Sequence, residues 1–340
     1  MFPVAVARKS ILDELGPIVK AFDTSPAALT EPEFLSDCSP RDKPWDVHKA
    51  QAVQVSQIFN SASGDRLRRW AARVGKCAEW LVYAWGQSRN DPGEFALKLQ
   101  QAHFCHVRLC PICQWRRSMM YLARFLEALP KLTAENPSAR WLFLTLTCRN
   151  MPVEDLRASL ASMNKAWDRL AKKKAFDVVR GWVRTTEVTR SDQGLAHPHF
   201  HVLLMVNANY FGKNYITQAA WAEMWRHGLK VDYTPVVDIR VVKPKAGNDE
   251  LAAAVRETLK YAVKPSDMTT NADWFLELTR QLHKLRFIAT GGLLKNILRE
   301  SEETQEDLLL AGEGEVELED EGKPVSFDYA HQVKRYRRRV

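Results

Sequence analysis

The sequence predicts an α+β fold: an antiparallel sheet with helices largely on one face, preceded by a helical region that carries a cysteine cluster. Three observations carry this. Two strand-like runs, 180–190 and 199–206, are joined by SDQGLAHP, which makes them an apparent hairpin. WLFLTLTC (141–148) is β-branched and aromatic, and reads as a buried strand of central sheet structure. Between them, Leu156, Leu160, Met163, Trp167 and Leu170 form one apolar stripe at helical spacing.

Taken in order, residues 1–60 read as a leader, with Pro and Ser punctuating 25–44 and a polar helix at 46–59. From Gly64 to Leu129 the pattern is helical. Leu67, Trp70, Val74, Cys77 and Leu81 recur at three- and four-residue spacing, which puts Cys77 on a buried face. WRRSMMYLARFLEAL makes a further helix, and Pro130 through Pro137 a linker. After the strand at 141–148, Pro152 opens a helix of about twenty residues. Lys172, Lys173 and Lys174 crowd its C-terminus, where cations favour the helix dipole. Beyond the hairpin come a helix at 215–227, a strand at 236–242 and a helix at 249–263. KLRFIAT (284–290) is a further strand, which Gly291-Gly292 turns into a last helix.

The chain has 340 residues, 46 % hydrophobic and 26 % charged, as expected of a soluble globular protein of two or three domains. No stretch approaches the apolar length needed to span a membrane, and the N-terminus lacks the order of a secretory signal, so a cytoplasmic location is expected. The net charge is +8, but residues 300–321 hold eleven acids and no Lys or Arg. Outside them stand 49 basic against 30 acidic side chains, a net of +19. So basic a body predicts an anionic partner, most plausibly nucleic acid.

Six cysteines in a cytoplasmic chain of this size do not suggest a disulfide scaffold. Cys105, Cys110 and Cys113 are crowded into CHVRLCPIC, and Cys110-Pro-Ile-Cys113 is a knuckle that brings two thiolates to one tetrahedral zinc. Cys77 is the first choice for the fourth ligand, with His103 and His106 as substitutes. Cys38 and Cys148 read as ordinary thiols. The division expected is a leader (1–60), a helical zinc-binding subdomain (61–135), a catalytic domain (136–300), and an acidic segment with a basic tail (301–340).

Two clusters carry chemistry. In HPHFHVLL, His199 and His201 lie two apart on a strand and project from one face, able to chelate one divalent cation, while Pro198 places His197 in the turn. Glu187, on the preceding strand, is positioned to add a carboxylate. In RETLKYAVKPSD (256–267), helical projection places Glu257, Tyr261 and Lys264 on one side, with the helix ending near Lys264 because Pro265 blocks it. A phenol, a carboxylate and an ammonium there can act as a nucleophile, a general base and a phosphate holder, but on its own the pattern reads as an amphipathic helix with Tyr261 on its polar side.

Together these residues resemble the HUH endonucleases, and most closely the replication initiator (Rep) proteins of small rolling-circle plasmids. The resemblance runs over roughly residues 75–300, through Cys77, CHVRLCPICQWRR, FLTLT, TTEVT, HPHFHVLL, ETLKYAVKPSD and RFIATGGLLK. It implies a five-stranded sheet with the histidine strand central. His199 and His201 match the metal-binding histidines, and Glu187 a further ligand. Tyr261 matches the nucleophile, Glu257 the carboxylate that activates water at termination, and Lys264 the lysine near the phosphate. The implied cofactors are catalytic Mg²⁺ or Mn²⁺ and structural Zn²⁺. The implied partners are single-stranded or hairpin DNA at a replication origin, with host helicase and polymerase, and a homodimer is an allowed form. Arg116, Arg117, the basic helix end at Lys172–Lys174 and the KRYRRR tail are the expected DNA backbone contacts, and Trp182 or Trp221 could stack bases, core packing being the alternative. Two other classes fit parts of the pattern: an HUH transposase or relaxase, and a non-catalytic zinc-containing DNA-binding repressor.

Overall fold

The computed structural model describes residues 33–88, 95–242, 249–260, 262–298, 304–309, 316–317 and 324–339. Among them are ten strands: β1 (Trp80–Ser88), β2 (Phe95–Ala102), β3 (Arg140–Thr147), β4 (Val179–Arg190), β5 (Ala196–Val206), β6 (Val237–Val242), β7 (Ile288–Gly292), β8 (Val316–Glu317), β9 (Val325–Ala330) and β10 (Arg335–Arg338). They form two five-stranded antiparallel sheets.

The second sheet has the order β6-β3-β5-β4-β7, so the histidine strand β5 is central. Its two faces are both apolar along much of their length. Phe200, Val202 and Leu204 point one way, onto Met163 and Trp167 of the helix Leu156–Ala171 and Trp225 of Gln218–Leu229. Leu203 and Met205 point the other way, onto Leu251, Val255 and Leu259 and onto Phe125 and Leu129. Helices therefore cover both faces, where one was expected. The cause is the run VLLMV, which has no polar alternation and buries side chains of both parities. On the second face the apolar cover lies over Leu203 and Met205, and the polar residues His199 and His201 continue the same row.

The region expected to be helical between Gly64 and Leu129 contains β1 and β2, which join β8, β9 and β10 from the far end of the sequence in the first sheet, ordered β10-β9-β1-β2 with β8 also on β1. The helix Asp65–Gly75 ends at a cap on Lys76, Ala78 takes a left-handed φ of 45°, and the chain then extends. Leu81 and Tyr83 are buried, as are Leu97 and Leu99 on β2, at the two-residue period of a strand. The partner that stabilises β1 is distant: Leu81 pairs with Phe327. No local window contains that information.

The same sheet revises both ends of the expected domain plan. The basic tail is strand β10, whose Tyr336 is fully buried and donates to the Ala78 carbonyl. Its arginines face acids: Arg335 meets Asp37, Arg337 lies 2.7 Å from Glu33, and Arg339 2.5 Å from Asp328. The leader, in turn, includes the helix Lys43–Ser61, with Trp45, Val55 and Phe59 fully buried. Pro130 does not open a linker, because the helix Pro111–Glu135 runs through it with Leu129 and Leu132 held on the second sheet's apolar face. Past β7 the chain makes turns in place of the expected last helix; at Gly292 (φ 59°) a Cβ would strike the Arg180 carbonyl, so this turn requires glycine. Among the described residues no helix is long and apolar enough to cross a membrane.

Candidate metal centres and the segment beside them

Register puts the polar groups of the second sheet in rows. Glu187 on β4 is the Cα partner of His199 on β5, and Thr147 on β3 is the partner on the other side. One step along, Thr145 and Thr185 flank His201. Directly paired residues share a face, so all six project together. Glu187 Oε2 lies 2.8 Å from His199 Nε2 and 2.8 Å from His201 Nε2. The other ring nitrogens are tethered: His201 Nδ1 is 3.4 Å from Thr145 Oγ1, and His199 Nδ1 is 3.3 Å from the His197 carbonyl. His201 also stacks on Phe143, centroids 5.5 Å apart.

Contrary to expectation, His197 is on the strand and not in the turn, paired with Thr189. Pro198 is tolerated because β3 ends at Thr147, opposite His199, and Val188, the partner of Pro198, sends its N–H away from β5, to the Ala262 carbonyl at 2.9 Å. No ladder bond is lost at that position.

Burial opposes ionisation of Glu187, but bonds from both imidazoles and the charge of Lys260 outweigh it and hold the carboxyl well below the usual range. Burial lowers the pKa of His201, against the opposing pull of Glu187, which favours the neutral ring that a metal requires. Glu187 Oε1 is buried with no hydrogen-bond partner among the described residues. One imidazole nitrogen from each histidine and a carboxylate with a spare oxygen, all within 4.8 Å, are a donor set that fits a divalent cation.

The segment from Glu257 onward docks against β4 beside this cluster. Thr185 Oγ1 donates to the Thr258 carbonyl, and Val263 forms a parallel bridge with Val188. That bridge alters the expected helix. It ends at Thr258, not near Lys264, because the chain must extend to reach β4 and because Lys264 precedes a proline. Lys264 is consequently exposed at the N-cap of the helix Pro265–Thr270, off the helix that holds Glu257. Tyr261 lies outside the described residues. Sequence reasoning missed Lys260, which reaches Glu257 Oε1 at 2.5 Å and Glu187 Oε2 at 3.2 Å. Its only sequence signal is the three-residue offset from Glu257.

In the first sheet's neighbourhood Cys77, Cys105, Cys110 and Cys113 are all buried and bring their sulfurs within 4.8 Å of one another. Sγ separations of 3.6 Å (Cys77–Cys113) and 3.7 Å (Cys105–Cys113) match the edge of about 3.8 Å of a tetrahedron built on Zn–S bonds. Burial and the neighbouring thiols push the Cys77 thiol well up, so four thiolates there call for a cation. The cysteines thus assemble as a set, without His103 or His106. Cys148 packs apart from it, 3.6 Å from Met163 Sδ, its thiol pushed up to about 11 by burial.

The expected DNA contacts divide. Arg116 is 1 % exposed, donates to the Leu308 and Leu309 carbonyls at 2.8 and 2.7 Å, and lies over Trp45 and Trp115. It is a core guanidinium and cannot track a backbone; its neighbour Arg117 donates to the Arg108 carbonyl at 3.3 Å. Lys172, Lys173 and Lys174 precede the start of β4, which is paired with Val206, about 26 Å along the strand from Glu187. Trp221 is fully buried, and Trp182 packs on Trp167, centroids 4.9 Å apart. At the histidine end, by contrast, Arg149 is exposed and lies 4.3 Å from the Tyr233 ring centroid.

An α+β protein with a His-His-Glu cluster shared by its central strand and the neighbouring one, and a separate four-cysteine cluster, is a protein of two candidate metal centres. Comparison with known proteins gives its family. Residues 96–337 match the replication protein family. A Protein rep of Streptococcus pneumoniae is 37 % identical over 76 % of this chain and 79 % of its own length. One from Lactiplantibacillus plantarum is 40 % identical over 75 % and 81 %, and one from Lentilactobacillus hilgardii 33 % identical over 86 % and 94 %. No solved structure matches. The chain belongs to the replication protein family, the plasmid rolling-circle Rep initiators that its motifs resemble.

Proposed function

We propose that this Rep protein nicks and rejoins one DNA strand at a plasmid origin, using Tyr261 as nucleophile. The observation that supports this most is the convergence of Glu187, His199 and His201 on one sheet face, beside the docked segment that leads into Tyr261. Those three residues would hold Mg²⁺ or Mn²⁺, which when bound neutralises a non-bridging phosphate oxygen and orients the phosphorus for in-line attack.

The chain's own residues do the rest. The Tyr261 oxygen attacks phosphorus and loses its proton as the bond to the 3′ oxygen breaks. The products are a 5′-phosphotyrosine and a free 3′-OH, which primes a polymerase. The phosphotyrosine conserves the phosphoester, so a later 3′-OH can displace Tyr261 and reseal the strand. One tyrosine serves initiation; Glu257 then takes a proton from water for the terminating cleavage. Lys264, exposed beyond the Val263 bridge, is the expected phosphate contact. The four cysteines would hold structural Zn²⁺, apart from the reaction. The substrate is single-stranded, because a paired duplex would obstruct the phosphate's approach to a sheet face.

The test is cleavage of a hairpin oligonucleotide from the cognate origin, with Mg²⁺ or Mn²⁺ added. Wild type is expected to leave a covalent protein–DNA adduct, and Tyr261→Phe to bind the DNA without cleaving it. An adduct formed by Tyr261→Phe overturns the assignment. Glu257→Ala is expected to nick but to fail at termination.

A further inference from the structure

The sheet face opposite the histidines carries a second feature that the nicking chemistry does not use. A cavity of about 210 Å³ lies between the helix Leu156–Ala171, β4 and the segment leading into β7. Leu160 and Phe287 give it apolar walls; Asn164, Thr186, Arg184 and Arg286 give it polar ones. Arg184 and Thr186 alternate with Thr185 and Glu187, so the strand period sends them to the opposite side.

Arg184 is the anomaly. It is 7 % exposed, and no carboxylate oxygen lies within 4.0 Å of it among the described residues. One nitrogen, Nη2, donates to neutral Asn164 Oδ1 at 2.6 Å; Nε and Nη1 are buried with no hydrogen-bond partner. The guanidinium rests over Phe200 (4.2 Å) and Trp167 (5.3 Å), whose ring faces attract the cation but accept no full hydrogen bond from Nε or Nη1. Burying an ion is costly unless it is paired and hydrogen-bonded. Burial draws Arg184 down to about 10; the charge of Asp168 opposes this, and the repulsion of Arg286, the second guanidinium of this cavity, adds less. A buried cation normally carries a counter-charge. Two nitrogens of Arg184 lack any hydrogen-bond partner among the described residues, and the cavity it lines with Arg286 also has the apolar walls Leu160 and Phe287, which suit a flat group.

We propose that this cavity binds a nucleotide, its phosphate between Arg184 and Arg286 and its base against Leu160 and Phe287. The nucleotide is either free or part of a DNA strand that rounds the β7 edge of the sheet; the chemistry recognised is the same.

The experiment titrates the full chain with thymidine 5′-monophosphate, with thymidine and with a 5′-phosphorylated oligonucleotide, reading affinity by calorimetry and Tm. The monophosphate is expected to bind and raise Tm, and thymidine to bind at least about tenfold more weakly, since it lacks the charge-assisted bonds. Arg286→Ala, at an exposed position, is expected to weaken the monophosphate at least about tenfold. Arg184→Gln is expected to do the same, and Arg286→Ala keeps the test open if that variant does not fold. His199→Ala is expected to leave the affinity unchanged. Competition by the oligonucleotide identifies a strand as the source; binding of the monophosphate without competition identifies a free nucleotide, and either supports the site. Equal affinity for thymidine and its monophosphate, no effect of Arg286→Ala, or loss of binding in His199→Ala overturns it. The last result would assign the ligand to the histidine face, and none of these results bears on the Tyr261 adduct.

Discussion

Lys260 Nζ lies 3.2 Å from Glu187 Oε2 and 2.5 Å from Glu257 Oε1, so a single ammonium joins the carboxylate of the histidine cluster to the carboxylate of the tyrosine segment. Burial opposes its charge, but the two carboxylates outweigh this and raise its pKa, so it is a fixed positive charge. Lys260→Met removes a competitor for Glu187 and a tether for Glu257. The variant is expected to bind Mn²⁺ more tightly and to release its DNA adduct by hydrolysis about tenfold more slowly. Manganese titration and adduct lifetime check the two halves separately; an unaltered manganese affinity refutes the competition.

The cysteine cluster predicts one tightly held zinc per chain. Cys113 lies within 3.7 Å of two partner sulfurs, and Cys113→Ser is expected to lose the metal and lower Tm. Elemental analysis after gentle purification and a melt with and without chelator measure this. Full zinc content in Cys113→Ser would exclude that residue as a ligand.

Arg116 belongs to the core. Arg116→Ala is expected to cost about 2–4 kcal/mol of stability, through two orphaned carbonyls and lost contact with two tryptophans. The salt dependence of DNA affinity is expected to stay the same, because no phosphate contact is removed. Arg149→Ala at the histidine end is the contrast: Tm unaltered, and a salt slope smaller by about one.

His48 gives the pH dependence of folding. Burial draws its pKa down to about 4, against the upward pull of Gln51, and its ring stacks on Trp115 at 4.8 Å. The folded value lies below the unfolded value of about 6.5, so the neutral ring is the form the fold accepts. Its contribution is complete above about 6.5 and is lost as pH falls from there toward 4, on the order of 3 kcal/mol in all. His48→Gln is expected to flatten that part of a stability–pH curve measured by denaturant unfolding.

The parts of this protein legible in its sequence are those whose signal is local. The stripe Leu156, Leu160, Met163, Trp167 and Leu170 is buried along its length, and β3 through β6 lie within a few residues of their expected positions. His199, His201 and Glu187 were readable as a group because a hairpin converts sequence spacing into cross-strand pairing. What escaped depends on distant segments. Helical spacing from Leu67 to Leu81 was interrupted at Gly75, since the strand that pairs with Leu81 lies near the other end of the sequence. Arg116 looked like a surface cation until Leu308 and Leu309 supplied its acceptors. The helix at Glu257 broke early because Val188 claims Val263, a bond no helical wheel contains.

The pairing of β1 with β9 has a consequence for synthesis on the ribosome. Leu81 leaves the exit tunnel roughly 250 residues before its partner Phe327, and at about 5–20 residues per second the edge of β1 waits tens of seconds to be closed. A truncated product ending after β7 would carry every residue proposed for the chemistry, yet leave that edge open. Closure of that edge therefore waits on residues 325–338, so the first sheet is completed only after the whole second sheet has been made.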